Sequence, residues 1–155
     1  MTLALNQALP DFSILTTQDK RLTLAQLLGK KTILYFYPKD NTSGCTQEGR
    51  DFSAAYPEFL ALNTVVFGVS RDSLHSHQQF KAEQQFPFEL LVDDQEQLCQ
   101  LFDVLKPRMM YGKSSIGIER STFLIDEQGI LRQEWRKVKV DNHAQDVLAA
   151  VKALS

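Results

Sequence analysis

The sequence is poor in cysteine, lacks an excess of basic residues and contains no long apolar run. Only Cys45 and Cys99 occur among 155 residues, which excludes a disulfide scaffold and favours a reducing compartment. Seventeen basic against 19 acidic residues give a net charge of -2, without the basic excess of nucleic-acid binders. No apolar run approaches the roughly 18 residues of a membrane span, and residues 1–10 lack a signal-peptide pattern. We therefore expect a cytoplasmic protein that binds neither nucleic acid nor a membrane.

Motifs for metals and cofactors are also missing. The cysteine and histidine positions show no zinc-type spacing, and no glycine-rich phosphate loop occurs. His75 and His77 would point about 200° apart on a helix, which suits no shared metal. His143 is expected on the surface. The sequence thus predicts a protein without metal or cofactor.

Length and pattern predict one α/β domain covering residues 1–155. Residues 12–16 and 21–24 flank a polar turn and predict an N-terminal β-hairpin. Residues 32–37 are apolar on both faces, which is typical of a central strand covered on both sides. Further strands are predicted at 65–69, 90–92, 121–126 and 130–135, the last two as a hairpin that turns at Gly129.

Helices are predicted from apolar residues that recur at helical spacing. One stripe places Cys45 on a buried face with Phe52, Ala55, Tyr56, Phe59 and Leu60, and residues 74–85 form a more polar helix. Residues 108–119 are predicted to be a loop. Two more apolar stripes predict helices. The first consists of Leu98, Leu101, Phe102 and Leu105, and the second of Ala144, Val147, Leu148 and Val151.

Cys45 lies where the central strand has ended and a helix begins, so helix N-terminal NH groups would favour its thiolate. If Thr42 is the N-cap, its hydroxyl accepts a hydrogen bond from the backbone NH of Cys45. Gly44 removes side-chain bulk beside the sulfur, and Pro38 would wall the pocket. The alternative is an inert cysteine, because free cysteines are among the most buried residues.

The motif Pro38-x-x-x-Thr42-x-x-Cys45 resembles the active-site signature of peroxiredoxins. The longer run from Tyr35 to Glu48, with Arg120-x-x-Phe-Leu-Ile-Asp further on, resembles the Q-type branch, also called bacterioferritin comigratory protein. The resemblance covers nearly the whole chain. It implies a thioredoxin-like mixed sheet flanked by helices, with an N-terminal β-hairpin extension, and a thiol-dependent peroxidase.

The resemblance also implies a role for each matching residue. Cys45 would be the nucleophile that attacks hydrogen peroxide or an organic hydroperoxide and becomes a sulfenic acid. Thr42 and Arg120 would orient the peroxide and stabilise charge on the leaving oxygen, and Pro38 would shield the site. Glu48 would orient the arginine.

The chain departs from the family where a second cysteine is expected. Many Q-type enzymes carry a resolving cysteine five residues after the nucleophile, where this chain has Arg50, and residues 74–85 contain none either. Cys99 flanks an apolar stripe and is expected to be a small core residue. We therefore predict a one-cysteine mechanism with thioredoxin, glutaredoxin or glutathione as reductant, in a monomer or weak homodimer. A two-cysteine peroxidase that uses Cys99 and a redox-inactive thioredoxin-like binding module are the alternatives.

Overall fold

The computed structural model describes residues 2–154, the side chain of Met110 apart. Within this range the strands are β1 (Ser13–Thr16), β2 (Arg21–Thr23), β3 (Lys31–Phe36), β4 (Thr64–Ser70), β5 (Leu90–Val92), β6 (Leu105–Met110), β7 (Lys113–Ile118), β8 (Ser121–Ile125) and β9 (Leu131–Trp135). The helices are α1 (Leu24–Leu27), α2 (Ser43–Ala61), α3 (Leu74–Gln84), α4 (Gln97–Leu101) and α5 (His143–Leu154). None of these helices combines the length and apolar character needed to cross a membrane.

A seven-stranded mixed sheet forms the centre of the fold, with the order β2-β1-β5-β4-β3-β8-β9. Strands β3, β4 and β5 run parallel, whereas β8 pairs antiparallel with β3, and β1 with β5. All six residues of β3 are buried, because neighbours cover both its edges and both its faces. The predicted mixed α/β sheet with an N-terminal hairpin is confirmed.

The sheet separates two hydrophobic cores, and successive residues of β3 alternate between them. Ile33 and Tyr35 belong to one core, together with Cys45. Leu34 and Phe36 belong to the other, together with Cys99. The two thiols therefore lie on opposite faces of the central sheet.

The segment after α4 differs from its prediction. The helix ends at Leu101, because Asp103 adopts a left-handed φ of 54°, and Leu105 begins a strand instead of closing the helical stripe. The predicted loop at 108–119 is wrong, since β6 and β7 form a hairpin that turns at Tyr111 and Gly112. Both turn residues have positive φ, as two-residue hairpin turns require.

Two side chains also differ from their predicted exposure. Leu60 was placed on the buried stripe of α2 but is 52% exposed. His143 was expected on the surface but is buried, with its Nε2 2.8 Å from the hydroxyl of Thr122. Burial lowers the pKa of His143 from 6.5 to about 4, so this imidazole is neutral at neutral pH.

Candidate active site

The site forms where the loop after β3 meets the residue before β8. Cys45 is the third residue of α2, which begins at Ser43 after the loop that follows β3. Phe36 pairs with Ser121, so the preceding residue, Arg120, lies beside the end of β3. Its Nη2 donates a hydrogen bond to the Cys45 Sγ at 3.3 Å. The pairing of β3 with β8 thus brings together residues 75 positions apart in sequence.

The guanidinium of Arg120 serves two acceptors at once. While Nη2 contacts the sulfur, Nη1 donates to the Glu48 Oε1 at 2.6 Å. Burial acts to lower the pKa of Arg120, but the Glu48 carboxylate and Cys45 raise it above its usual value. The cation therefore stays charged beside the sulfur, in a site where Cys45 itself is 1% exposed.

Glu48 is a buried carboxyl group three residues after Cys45, on the same face of α2. Its Oε1 accepts from Arg120, whereas its Oε2 has no hydrogen-bond partner among the described residues. Burial raises the pKa of Glu48 to about 7, although Arg120 opposes this shift. The predicted contact between Glu48 and the arginine is present, and this carboxyl group changes charge near neutral pH.

Thr42 is the N-cap of α2, as predicted, but its hydroxyl makes a different hydrogen bond from the one expected. No side-chain cap bond to Cys45 is present. The hydroxyl instead donates to the Lys39 carbonyl at 2.9 Å, and the backbone NH of Thr46 bonds the Thr42 carbonyl. Because a carbonyl only accepts, the Thr42 hydroxyl proton is used and its lone pairs remain available to accept from a peroxide.

Pro38 and Gly44 both belong to the segment that leads from β3 into α2. Pro38 is half-buried and lies two residues after β3, in the loop that leads to α2. A Cβ atom added at Gly44 would lie 3.2 Å from Nη2 of Arg120, so the absent side chain makes room for the guanidinium. Arg50 points away from the site, as predicted, and donates to Gln84. A cleft of about 600 Å³ opens beside Gly44, between the starts of α2 and α5.

A buried polar network lies behind the loop, and sequence reasoning missed it. The Asp40 carboxylate accepts from the Tyr37 hydroxyl and contacts Nδ1 of His77, both at 2.7 Å. Ligand atoms of Asp40, Asp72 and His77 lie within 4.8 Å of one another, which would suit a cation. Hydrogen bonds already join these groups, because Asp40 NH donates to Asp72 and His77 Nε2 contacts the Leu91 carbonyl. No local pattern in the sequence indicates these contacts.

Cys99 is fully buried in the opposite core, as its predicted role as a small core residue requires. Its backbone NH donates to the Asp93 Oδ2 at 2.7 Å. Burial, together with the Asp93 carboxylate, raises the pKa of the Cys99 thiol far above its usual range. A thiol in these surroundings stays protonated and is a poor nucleophile.

Comparisons with known proteins agree with the motif. Residues 5–134 match the model of the AhpC/TSA family. Peroxiredoxin Bcp of Xanthomonas campestris pv. campestris is 50% identical over 143 residues, which cover 92% of this chain and 89% of that protein. Peroxiredoxin Bcp of Bacillus subtilis is 45% identical over 155 residues, which cover 100% of this chain and 99% of that protein.

Solved structures extend the likeness to the fold. A cysteine mutant of Xylella fastidiosa PrxQ superposes with a TM-score of 0.94 at 40% identity, covering 99% of this chain and 98% of that chain. The bacterioferritin comigratory protein of Xanthomonas campestris, studied for its alkyl peroxide reduction activity, gives a TM-score of 0.89 at 49% identity, with 92% and 91% covered. The thioredoxin-like fold is thereby confirmed. The chain belongs to the AhpC/TSA family as a Q-type peroxiredoxin, a thiol-dependent peroxidase.

Proposed function

We propose that Cys45 is the peroxidatic nucleophile and that Thr42, Arg120 and Pro38 complete its site. The observation that carries this assignment is the 3.3 Å hydrogen bond from Arg120 to the Cys45 sulfur at the start of α2. A guanidinium and helix N-terminal NH groups both stabilise an anion, first on sulfur and then on the departing oxygen. In this proposal the half-buried ring of Pro38 shields the sulfur from water.

The reaction begins with the Cys45 thiolate attacking the distal oxygen of hydrogen peroxide or an organic hydroperoxide. The sulfur–oxygen bond forms as the oxygen–oxygen bond breaks, so sulfur loses two electrons and the peroxide gains them. The leaving hydroxide or alkoxide takes up a proton and departs as water or alcohol. Arg120 stabilises its negative charge, and Thr42 accepts a hydrogen bond from the peroxide hydroxyl.

The sulfenic acid is then reduced by a thiol from outside the chain. That thiol forms a mixed disulfide with Cys45 and releases water, and a second thiol frees Cys45 and forms the reductant disulfide. Thioredoxin, glutaredoxin and glutathione are the reductant candidates. The one-cysteine cycle is supported by the central sheet between Cys45 and Cys99, because disulfide geometry requires Cα atoms within about 7 Å.

The proposed site residues lie between Pro38 and Arg120 on one central sheet and its helix, which supports a single-domain protein, and we propose that it acts as a monomer or weak homodimer. A reducing compartment such as the cytoplasm suits a chain whose two cysteines are both free.

Peroxide consumption with dithiothreitol tests the proposal. Cys45→Ser should abolish turnover, whereas Cys99→Ser, the matched control, should keep it within about twofold. Wild-type turnover in Cys45→Ser would refute the assignment. Mass spectrometry after one equivalent of peroxide tests the one-cysteine cycle. A dominant Cys45–Cys99 disulfide, with loss of thioredoxin-supported turnover in Cys99→Ser, would establish a two-cysteine cycle instead.

A further inference from the structure

The loop between β3 and α2 is anchored at its midpoint by one buried carboxylate. Asp40 is 5% exposed, and its Oδ1 accepts from the hydroxyl of Tyr37 at 2.7 Å. Its Oδ2 accepts from the Ser76 hydroxyl at 2.8 Å and contacts the His77 Nδ1 at 2.7 Å. Ser76 and His77 belong to the first turns of α3, so a helix distant in sequence holds the loop.

The hydrogen bonds of His77 show where the protons of this anchor lie. The Leu91 carbonyl, 2.9 Å from Nε2, can only accept, so Nε2 carries a proton. One further proton lies between Nδ1 and the Asp40 Oδ2. The hydroxyl groups of Tyr37 and Ser76 also donate to Asp40, so both of its carboxyl oxygens have hydrogen-bond partners.

The anchor fixes the peptide group that orients Thr42. The Lys39 carbonyl and the Asp40 NH belong to the same planar peptide unit. On one side, the NH donates to the Asp72 Oδ2 at 3.0 Å. On the other, the carbonyl accepts the Thr42 hydroxyl at 2.9 Å. A rotation of this peptide would remove the acceptor that holds the Thr42 proton.

We propose that Asp40, held by His77, is a positioning residue for peroxide reduction. It fixes the Lys39–Asp40 peptide, and this peptide directs the lone pairs of the Thr42 hydroxyl towards the peroxide. Neither side chain takes part in the chemistry, and both act through Thr42. The inference rests on the proposed role of Thr42 in the site.

Two substitutions of His77 separate its two hydrogen bonds. The amide nitrogen of His77→Asn falls near the position of Nδ1 and can still donate to Asp40. The amide nitrogen of His77→Gln falls near Nε2 and can donate only to Leu91. We expect His77→Gln to slow Cys45 oxidation by hydrogen peroxide at least about tenfold, and His77→Asn to stay within about threefold of the wild type. His75→Gln, on the exposed side of α3, is the matched surface control and should leave the rate unchanged.

A second reaction shows whether the loss is specific. Alkylation of Cys45 by iodoacetamide does not use the Thr42 hydroxyl, so its rate should stay within about twofold in His77→Gln. Equal oxidation losses in His77→Gln and His77→Asn would overturn the inference. A parallel fall of oxidation and alkylation in His77→Gln would also overturn it, because that is the result of general misfolding.

A double-mutant cycle with Thr42→Val completes the test. If Asp40 and His77 act through Thr42, His77→Gln should cost nothing further in the Thr42→Val background. Additive losses would overturn the positioning role of Asp40 and His77 but leave the proposed role of Thr42 intact. An unchanged oxidation rate in Thr42→Val would instead contradict both roles. Should His77→Gln not fold, Ser76→Ala removes one donor from the same Asp40 oxygen. It should slow oxidation about threefold in the wild-type background only, and an unchanged rate would contradict the proposal.

Discussion

Replacing Glu48 by glutamine should change how the stability of the protein depends on pH. Glu48 is 1% exposed, and burial raises its pKa from 4.5 to about 7 despite the contact with Arg120. The folded protein therefore binds this proton more tightly than the unfolded chain. The stability that Glu48 contributes is fully present below about pH 4.5 and is lost as the pH rises through about 7. A shift of this size corresponds to about 3 kcal/mol of unfolding free energy.

Glu48→Gln keeps the shape of the side chain and an oxygen that can accept from Arg120, but it does not titrate. Urea unfolding of both proteins between about pH 4.5 and pH 8 gives the free energy of unfolding at each pH. With rising pH, the variant should gain about 3 kcal/mol relative to the wild type. Glu58→Gln is the matched control, because Glu58 lies exposed on the same helix and should show no such trend.

Parallel stability curves for the wild type and Glu48→Gln would refute this reasoning. They would mean that the Arg120 contact fully offsets the burial of the carboxylate, so that Glu48 stays ionised over the whole range. A gain that appeared equally in Glu58→Gln would instead assign the effect to the charge of α2 as a whole.

Three more predictions follow from single contacts. Arg120→Lys should slow Cys45 oxidation at least about tenfold, on the order of 1.4 kcal/mol, because one ammonium cannot donate to both the sulfur and Glu48. An unchanged oxidation rate in stopped-flow measurements would show that the guanidinium does not contribute to this step. Because the pKa of His143 is lowered to about 4, the wild type should lose about 3 kcal/mol of unfolding free energy as the pH falls from 6.5 through 4. Urea unfolding of His143→Gln should lack this loss. Identical pH dependence in the two proteins would contradict the prediction. Gly49→Ala should lower the unfolding free energy by about 1–3 kcal/mol, because the new Cβ would lie 2.4 Å from the Phe86 ring. An unchanged urea midpoint would show that the ring moves aside without cost.

The strands that the sequence predicted well are those buried on both faces or closed by a clear turn. Strands β3, β4 and β5 appear as continuous apolar runs, because both faces need apolar cover. The hairpin of β8 and β9 turns through Gly129, whose φ is 79°. By contrast, β6 and β7 are paired mainly by backbone hydrogen bonds, and four of the six residues of β7 are exposed. No alternation marks such a hairpin in the sequence.

Local motif residues of the site were accessible to sequence analysis, whereas distant contacts were not. Cys45 and Thr42 lie within one short segment at a helix start, and their chemistry can be argued from that position. Arg120 could be selected only through the family resemblance, because its contact with Cys45 depends on strand pairing. The pair of Asp40 and His77 spans 37 positions and joins a loop to a helix, so no spacing rule could reveal it.

The pairing of β3 with β8 has a consequence for the newly made chain. Cys45 is synthesised 75 residues before Arg120, which at usual elongation rates is roughly 4–15 s earlier. Until β8 docks, the Cys45 sulfur lacks the Arg120 guanidinium, and a slip of one residue would turn Arg120 to the far face of the sheet. If Arg120 has the proposed role, the chain becomes a peroxidase only after β8 has found its register beside β3. The rate of peroxide reduction would then measure how much of the protein has paired β3 with β8 in the correct register.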